Sequence, residues 1–276
     1  MNTEPLLSVE NLSVDFGRSM GQPAVDQVSL QVVRGEVVGI VGESGSGKST
    51  LGFAIAGLLE PNGVELSGKI LFKGRNLLEI NSDEFRALRG SEIGFIFQDV
   101  SSSLNPLLTI GQQLSHPLMS NGGLDKHQAI ARAEELLAMV EITDPKRRLN
   151  QYPHEISGGM KQRVVIAAAL SRSPSLLIAD EPTTALDVTV QAQIIDLLIR
   201  LKESMSMALI FISHDLGVVA RIADRVVVMK DGKIVESGIV DSVLEHPKEE
   251  YTKLLLANIP SLQYSGKNIL SNFWSK

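Results

Sequence analysis

Apolar residues alternate with polar ones in two early stretches, at Leu12, Val14 and Phe16 and again at Val28, Leu30 and Val32. A period of two predicts half-buried strands, with residues 17–23 as a polar loop and Arg34-Gly35-Glu36 as a turn. Residues 37–41 are continuously apolar or glycine and predict a buried strand, and residues 51–59 have helical character. Pro61-Asn62-Gly63 breaks that helix, and residues 69–73 predict a further short strand closed by Gly74. The amino-terminal third is therefore expected to be an antiparallel β subdomain attached to a strand, a glycine-rich turn and a helix.

Ile93-Gly94-Phe95-Ile96-Phe97 predicts another buried strand that stops at Gln98. The pattern then changes. Pro106, Pro117 and Gly122-Gly123 separate short pieces, and in residues 128–140 Ala129, Ala133, Leu136, Leu137 and Val140 recur at helical spacing, with Glu134 and Glu135 outside that face. Helices are further expected over 157–171 and 188–202, and buried strands over 176–179 and 208–212. Strands alternating with helices call for a mainly parallel sheet. Residues 226–229, the turn Asp231-Gly232 and Ile234-Val235 predict a closing hairpin. The expected fold is α/β, with a helical subdomain at about 99–170 inserted in a domain of 1–240 and a helix-and-tail extension over 241–276. No internal repeat or low-complexity tract interrupts this plan.

Composition narrows the classes. Hydrophobic residues make up 43% of the 276, enough for a core, and a net charge of -6 argues against a broad basic face for nucleic acid. No run approaches the roughly 18 to 20 apolar residues of a membrane span. The start, Met1-Asn2-Thr3-Glu4-Pro5, lacks the basic and apolar regions expected of a secretory signal. With no cysteine there is neither a disulfide framework nor a thiolate metal site, a composition compatible with the cytoplasm.

Chemistry concentrates first in Gly42-Glu43-Ser44-Gly45-Ser46-Gly47-Lys48-Ser49-Thr50. G-x-x-x-x-G-K-[ST] between a strand and a helix describes a P-loop, a phosphate cradle. Its glycines let N–H groups and a helix N-terminus converge on one spot, where Lys48 adds a full positive charge. A second center is the apolar strand ending in Asp180-Glu181. Asp180 is suited to hold Mg²⁺, directly or through water, with Ser49 as a hydroxyl ligand, and Glu181 to polarise an attacking water. Alone, Asp-Glu-Pro can simply turn a chain out of a sheet; beside a phosphate loop the chemical reading carries more weight.

Upstream stands Ser157-Gly158-Gly159-Met160-Lys161-Gln162, whose Ser-Gly-Gly tripeptide opens a helix and makes another small anion site. This order of elements resembles the ATP-binding-cassette (ABC) ATPases, whose signature sequence begins with such a Ser-Gly-Gly. The resemblance runs from about residue 6 to 238. It implies a P-loop NTPase core and a head-to-tail dimer in which the signature of one subunit, here Ser157, Gly158 and Gly159, closes on ATP held by the other. It also implies roles for single residues. Gln98 would reach Mg²⁺ and the attacking water, His214 would contact the γ-phosphate, Ala185-Leu186-Asp187 would communicate across the dimer, and Phe16 would stack on adenine.

Tyr152-Pro153-His154-Glu155, Met160, Asn105-Pro106, His246-Pro247 and Tyr251-Thr252 are similar to the oligopeptide, dipeptide and nickel importer branch. That likeness implies an ATPase at the cytoplasmic face of the inner (cell) membrane, working with a second ATPase subunit, identical or different. Two transmembrane permease subunits would dock on it, at about residues 99–116, and an extracytoplasmic binding protein would deliver a peptide. Uptake of nickel or another metal chelate is the alternative within this branch. A soluble cassette acting on nucleic acid or an assembly is the alternative outside it, disfavoured by the single cassette and acidic balance. The absence of cysteine excludes the carboxy-terminal iron–sulfur center that some relatives of the branch carry.

Overall fold

The computed structural model describes residues 4–17, 22–59, 63–120, 123–184 and 186–257. The chain divides into two compact units, one from the residues up to 81 together with those from 208 onward, the other from residues 82–207. In the first unit the chain forms β1 (Leu7–Asp15), β2 (Val25–Val32), β3 (Val37–Val41), α1 (Lys48–Ala56), β4 (Glu65–Phe72) and β5 (Arg75–Asn76). The second unit follows with α2 (Ser82–Ser91), β6 (Ile93–Ile96), α3 (Val100–Ser103), α4 (Ile110–Met119), α5 (Lys126–Met139), α6 (Pro145–Leu149), α7 (Gly158–Ala169), β7 (Leu176–Asp180) and α8 (Val188–Met205). The chain then returns to the first unit with β8 (Ala208–Ser213), α9 (Leu216–Ile222), β9 (Arg225–Lys230), β10 (Lys233–Ile239), α10 (Val240–Glu245) and α11 (Glu250–Ala257).

The first unit holds an antiparallel sheet in the order β2-β1-β4-β5. Leu7, Val9, Leu12 and Val14 of β1 are all buried, yet the alternation slips between Val9 and Leu12, where the pairing register shifts and Asn11 adopts φ 47. That bulge explains why the period of two is legible in only part of the strand. Phe16 falls one residue beyond β1 and is 37% exposed. Strand β4 begins four residues before the expected 69, because its first five residues are exposed and only Leu66 among them is a large apolar residue. Backbone pairing with β1 holds them instead, at Asp15↔Glu65, Val14↔Leu66 and Ser13↔Ser67. Lys73 and Gly74, at φ 49 and 78, then turn the chain into β5.

Beside this sheet the same unit carries parallel strands. β3 pairs parallel with both β8 and β9, and all five of its residues are buried. A strand with neighbours on both edges and apolar groups on both faces reads as a continuous hydrophobic run. Gly39 lets α9 approach, since a Cβ there would lie 2.2 Å from Val219 Cγ1. β10 closes the edge antiparallel to β9 through Asp231 and Gly232, both at positive φ, as a two-residue Asp-Gly hairpin requires. Helix α1 runs from 48 to 56 rather than 51 to 59. It starts directly after the turn and ends at Gly57, a left-handed C-cap.

In the second unit β6 and β7 pair parallel from Ile93↔Leu176 to Ile96↔Ala179. The predicted face of α5 is buried as a unit, Ala129, Ala133, Leu136, Leu137 and the C-capping Val140 being fully inaccessible. Capping boxes at Thr109/Gln112 and Asp125/Gln128 start α4 and α5. Pro117, expected to separate two pieces, lies inside α4 near its end. Helices α2 and α9 are not among the expected elements, although Phe85 and Leu88 in α2 and Leu216, Val219 and Ile222 in α9 recur at helical spacing. The mixed α/β plan is as expected: parallel pairing in both units, an antiparallel sheet in the first and a run of helices in the second. Among the described residues no helix is long and apolar enough to cross a membrane.

The described part of the extension is fastened to the first unit. Glu236 of β10, 9% exposed, accepts hydrogen bonds from the N–H groups of Lys248 (2.9 Å) and Glu249 (3.2 Å), which lead into α11. Burial pushes this carboxyl up, and the hydrogen bonds that reach it, these two among them, outweigh that and hold it below the ordinary glutamate range. A carboxyl depressed in the folded state stabilises above the unfolded value and loses that contribution as pH falls through the folded one. Glu236→Gln should therefore lower stability at neutral pH by on the order of 1 kcal/mol. Urea melts of both proteins should show this gap shrinking below the ordinary glutamate range; a gap independent of pH would contradict the ionic cap.

Candidate functional site

The loop 42–50 is built by the end of β3 and the start of α1. Gly42 leaves the strand at φ 154, and a Cβ on it would sit 2.2 Å from the carbonyl oxygen of Met229. Gly47 occupies the N-cap of α1 at φ 95, and a Cβ there would sit 2.3 Å from the carbonyl oxygen of Ala24. Both positions combine a left-handed backbone with a close backbone neighbour, so only glycine fits. Gly45, at φ 83, is open to solvent. The hairpin turn of β9 and β10 supports the loop from behind, with the Gly232 N–H donating to the Ser46 carbonyl (3.2 Å).

Lys48 is only 5% exposed. Its Nζ donates to the carbonyls of Gly42 (2.8 Å) and Glu43 (2.7 Å) and to Ser46 Oγ (3.3 Å). No described residue accepts from the N–H of Gly45 or Gly47. A buried ammonium, glycine N–H groups without protein acceptors and the N-terminus of α1 together make a cradle for an anion. Glu43, Ser44 and Gly45 are exposed, Ser46 is buried, and Ser49 and Thr50 are half-buried in the first turn of α1. In the same unit His214 follows the end of β8 and is exposed, and its neighbour Asp215 caps α9.

In the second unit β7 ends on Asp180, which is 2% exposed. Glu181, immediately after it, has φ 45, a left-handed conformation that costs a non-glycine residue about 1–2 kcal/mol. The turn is held by the Thr184 N–H on the Glu181 carbonyl (3.1 Å). The carboxylate is held as well: its Oε2 accepts from Thr184 Oγ1 (2.7 Å) and from Gln98 Nε2 (3.1 Å). Gln98 and Glu181, 83 residues apart in the chain, thus meet. Two donors fix where the carboxylate points, as a base aimed at one water needs.

Ser157 is the N-cap of α7, its hydroxyl accepting from the Met160 N–H at 3.4 Å. Gly158 faces open space, whereas a Cβ on Gly159 would come within 2.9 Å of Val190 Cγ1 in the first turn of α8. Asp187 caps α8 through the Val190 N–H (2.9 Å). Ala185, predicted as part of the same loop, lies outside the described residues. Two contributors escaped the sequence reading. Thr184 follows the Asp-Glu pair at turn spacing, which was a usable signal. Tyr251 of α11, noted in the sequence only for its likeness to the importer branch, accepts a hydrogen bond from the Glu43 N–H (2.9 Å). No local pattern announces that contact across 208 residues.

Comparison with known proteins agrees with this chemistry. The ABC transporter family model matches residues 25–184. The oligopeptide transport ATP-binding protein OppD of Bacillus subtilis (strain 168) is 49% identical over 268 residues, covering 96% of this chain and 75% of the relative. The dipeptide transport ATP-binding protein DppD of Lactococcus lactis subsp. cremoris (strain MG1363) is 46% identical over 273 residues, covering 98% and 78%. Among solved structures, the dimeric post-hydrolysis state of the ATP-binding cassette MJ0796 bound to ADP and Pi superimposes with a TM-score of 0.73 at 33% identity, covering 85% of this chain and 98% of that one. The chain belongs to the ABC transporter family and is one of its ATP-binding, ATP-hydrolysing cassettes.

Proposed function

We propose that this cassette powers a peptide importer, as the ATPase subunit bound to a pair of transmembrane permeases at the inner face of the cell membrane. The observation that carries the reading is near-full-length identity of 49% and 46% to ATP-binding proteins of oligopeptide and dipeptide transport. Those names favour a peptide over the nickel chelate, and transport over a soluble role on nucleic acid. A second cassette, identical or different, completes the working dimer, and an extracytoplasmic binding protein supplies the cargo. The dimeric form of the MJ0796 cassette supports pairing.

Within this reading each residue has a defined task. The N–H groups of the loop 42–50 and the Lys48 ammonium bind the phosphates of ATP. Phe16, exposed beyond β1, offers an aromatic face for the adenine. Ser157, Gly158 and Gly159 present a hydroxyl and N–H groups to the nucleotide of the partner cassette. Glu181, steered by Gln98 and Thr184, takes the proton of the attacking water, and His214 contacts the γ-phosphate. A hard divalent cation fits the available donors: the Asp180 carboxylate, the Ser49 hydroxyl and the Gln98 amide oxygen are all oxygen ligands, the set Mg²⁺ prefers when phosphates complete its shell. When bound, Mg²⁺ neutralises charge on the phosphates. Everything else in the step is positioning and electrostatics, as phosphoryl transfer to water requires.

The segment after Gln98, residues 99–116, is proposed as the permease contact, and residues of about 99–170 as a helical subdomain inserted in a cassette of 1–240, followed by an extension over 241–276. Three measurements test the whole. Lys48→Ala should weaken ATP binding by tenfold or more in an equilibrium titration; unchanged affinity would remove the cradle assignment. Glu181→Gln should retain binding while lowering turnover of the reconstituted complex by at least about a hundredfold, and wild-type turnover would strip Glu181 of its role. Affinity purification from membranes should recover two multispanning proteins; recovery of nucleic acid instead would overturn the transport reading.

A further inference from the structure

The peptide unit between Gly42 and Glu43 is held at both ends. Its carbonyl accepts from Lys48 Nζ at 2.8 Å, and its N–H donates to the hydroxyl oxygen of Tyr251 at 2.9 Å. In a planar trans peptide these two groups point in opposite directions, so fixing one aims the other. The unit needs such fixing. Gly42, at φ 154, has no Cβ to define the rotation of the peptide that follows it, and Glu43 is exposed. We infer that Tyr251 is a positioning residue for Lys48: its hydroxyl sets the peptide whose carbonyl holds the lysine ammonium, so the carboxy-terminal helix takes part in ATP binding.

This inference rests on the reading of the loop as the ATP cradle. The helix that carries Tyr251 is itself anchored. The N–H groups of Lys248 and Glu249 are taken up by the buried Glu236 carboxylate on β10. Thr252, the next residue, is fully buried. Lys230, at the end of β9, lies with Nζ 5.0 Å from the center of the Tyr251 ring, a cation over an aromatic face. Burial raises the phenol pKa above its ordinary range, so the hydroxyl is neutral at physiological pH and accepts from an N–H as an uncharged oxygen. The same hairpin that supplies Lys230 and Glu236 supplies the Gly232 N–H on Ser46. Loop and helix are therefore referenced to one rigid element, and the hydroxyl of Tyr251 is the link that reaches the peptide.

Tyr251→Phe in the full chain removes that oxygen and keeps the ring. Its dissociation constant for ATP should rise about three- to tenfold, the scale of one neutral hydrogen bond. The amide proton of Glu43 should exchange faster with solvent while the amides of β3 keep wild-type protection. In a Lys48→Ala background the same change should add almost nothing, because the two residues act on one peptide. Unchanged affinity in Tyr251→Phe, unchanged protection of Glu43, or full additivity with Lys48→Ala would each overturn the inference. A wild-type chain that binds no ATP, or Lys48→Ala with undiminished affinity, would instead remove the cradle reading itself.

Discussion

A primary ammonium taken out of water must be given oxygen atoms, and the energetic cost of failing to do so is several kilocalories per mole. Lys48 is 5% exposed, and the oxygens it receives include the carbonyls of Gly42 and Glu43 and the hydroxyl of Ser46. Much of the first unit serves that one requirement. β3 delivers Gly42 to a place where its φ of 154 and the nearby Met229 carbonyl tolerate no side chain. The hairpin of β9 and β10 fixes Ser46 from behind. The carboxy-terminal helix reaches the adjoining N–H. The result is an ammonium that oxygens of the loop itself hold at the start of α1.

The second unit solves the converse problem. A carboxylate at the end of a strand must be given hydrogen-bond donors. Glu181 is held by neutral donors, the Gln98 amide and the Thr184 hydroxyl, both on the same oxygen. Such bonds restrain where the carboxylate points. Gln98 also follows the end of β6, so the chain that leads into α3 and α4 starts from a residue bonded to the carboxylate. In the proposed function that contact links hydrolysis to segment 99–116.

How legible all this was depends on the range of the interaction. The glycine-lysine loop, the strand ending in Asp180-Glu181 and the Ser157 cap are local, and each could be read from residue types at short spacing. The buried face of α5 was equally plain, because five apolar residues recur at helical period. Strand β4 was read too short, since residues 65–69 are exposed and are held by pairing with β1 rather than by burial. Pro117 was read as a break, although it sits where α4 is already ending. The bond from Glu43 to Tyr251 had no signal, because 208 residues separate its ends and neither is unusual in its own surroundings.

Positive φ appears at both chemical centers, but it is carried differently. In the phosphate loop Gly42, Gly45 and Gly47 adopt it, and the missing side chains are part of the function, since the backbone itself is the ligand. After β7 the same backbone region is occupied by Glu181 at φ 45. Glycine would remove about 1–2 kcal/mol of strain there, yet it would also remove the carboxylate. The hydrogen bonds from Thr184 to both the carbonyl and the side chain of Glu181 offset the strain locally. The strained glutamate therefore marks the position where side-chain chemistry outranks backbone preference, just as the loop glycines mark where backbone chemistry leaves no room for a side chain.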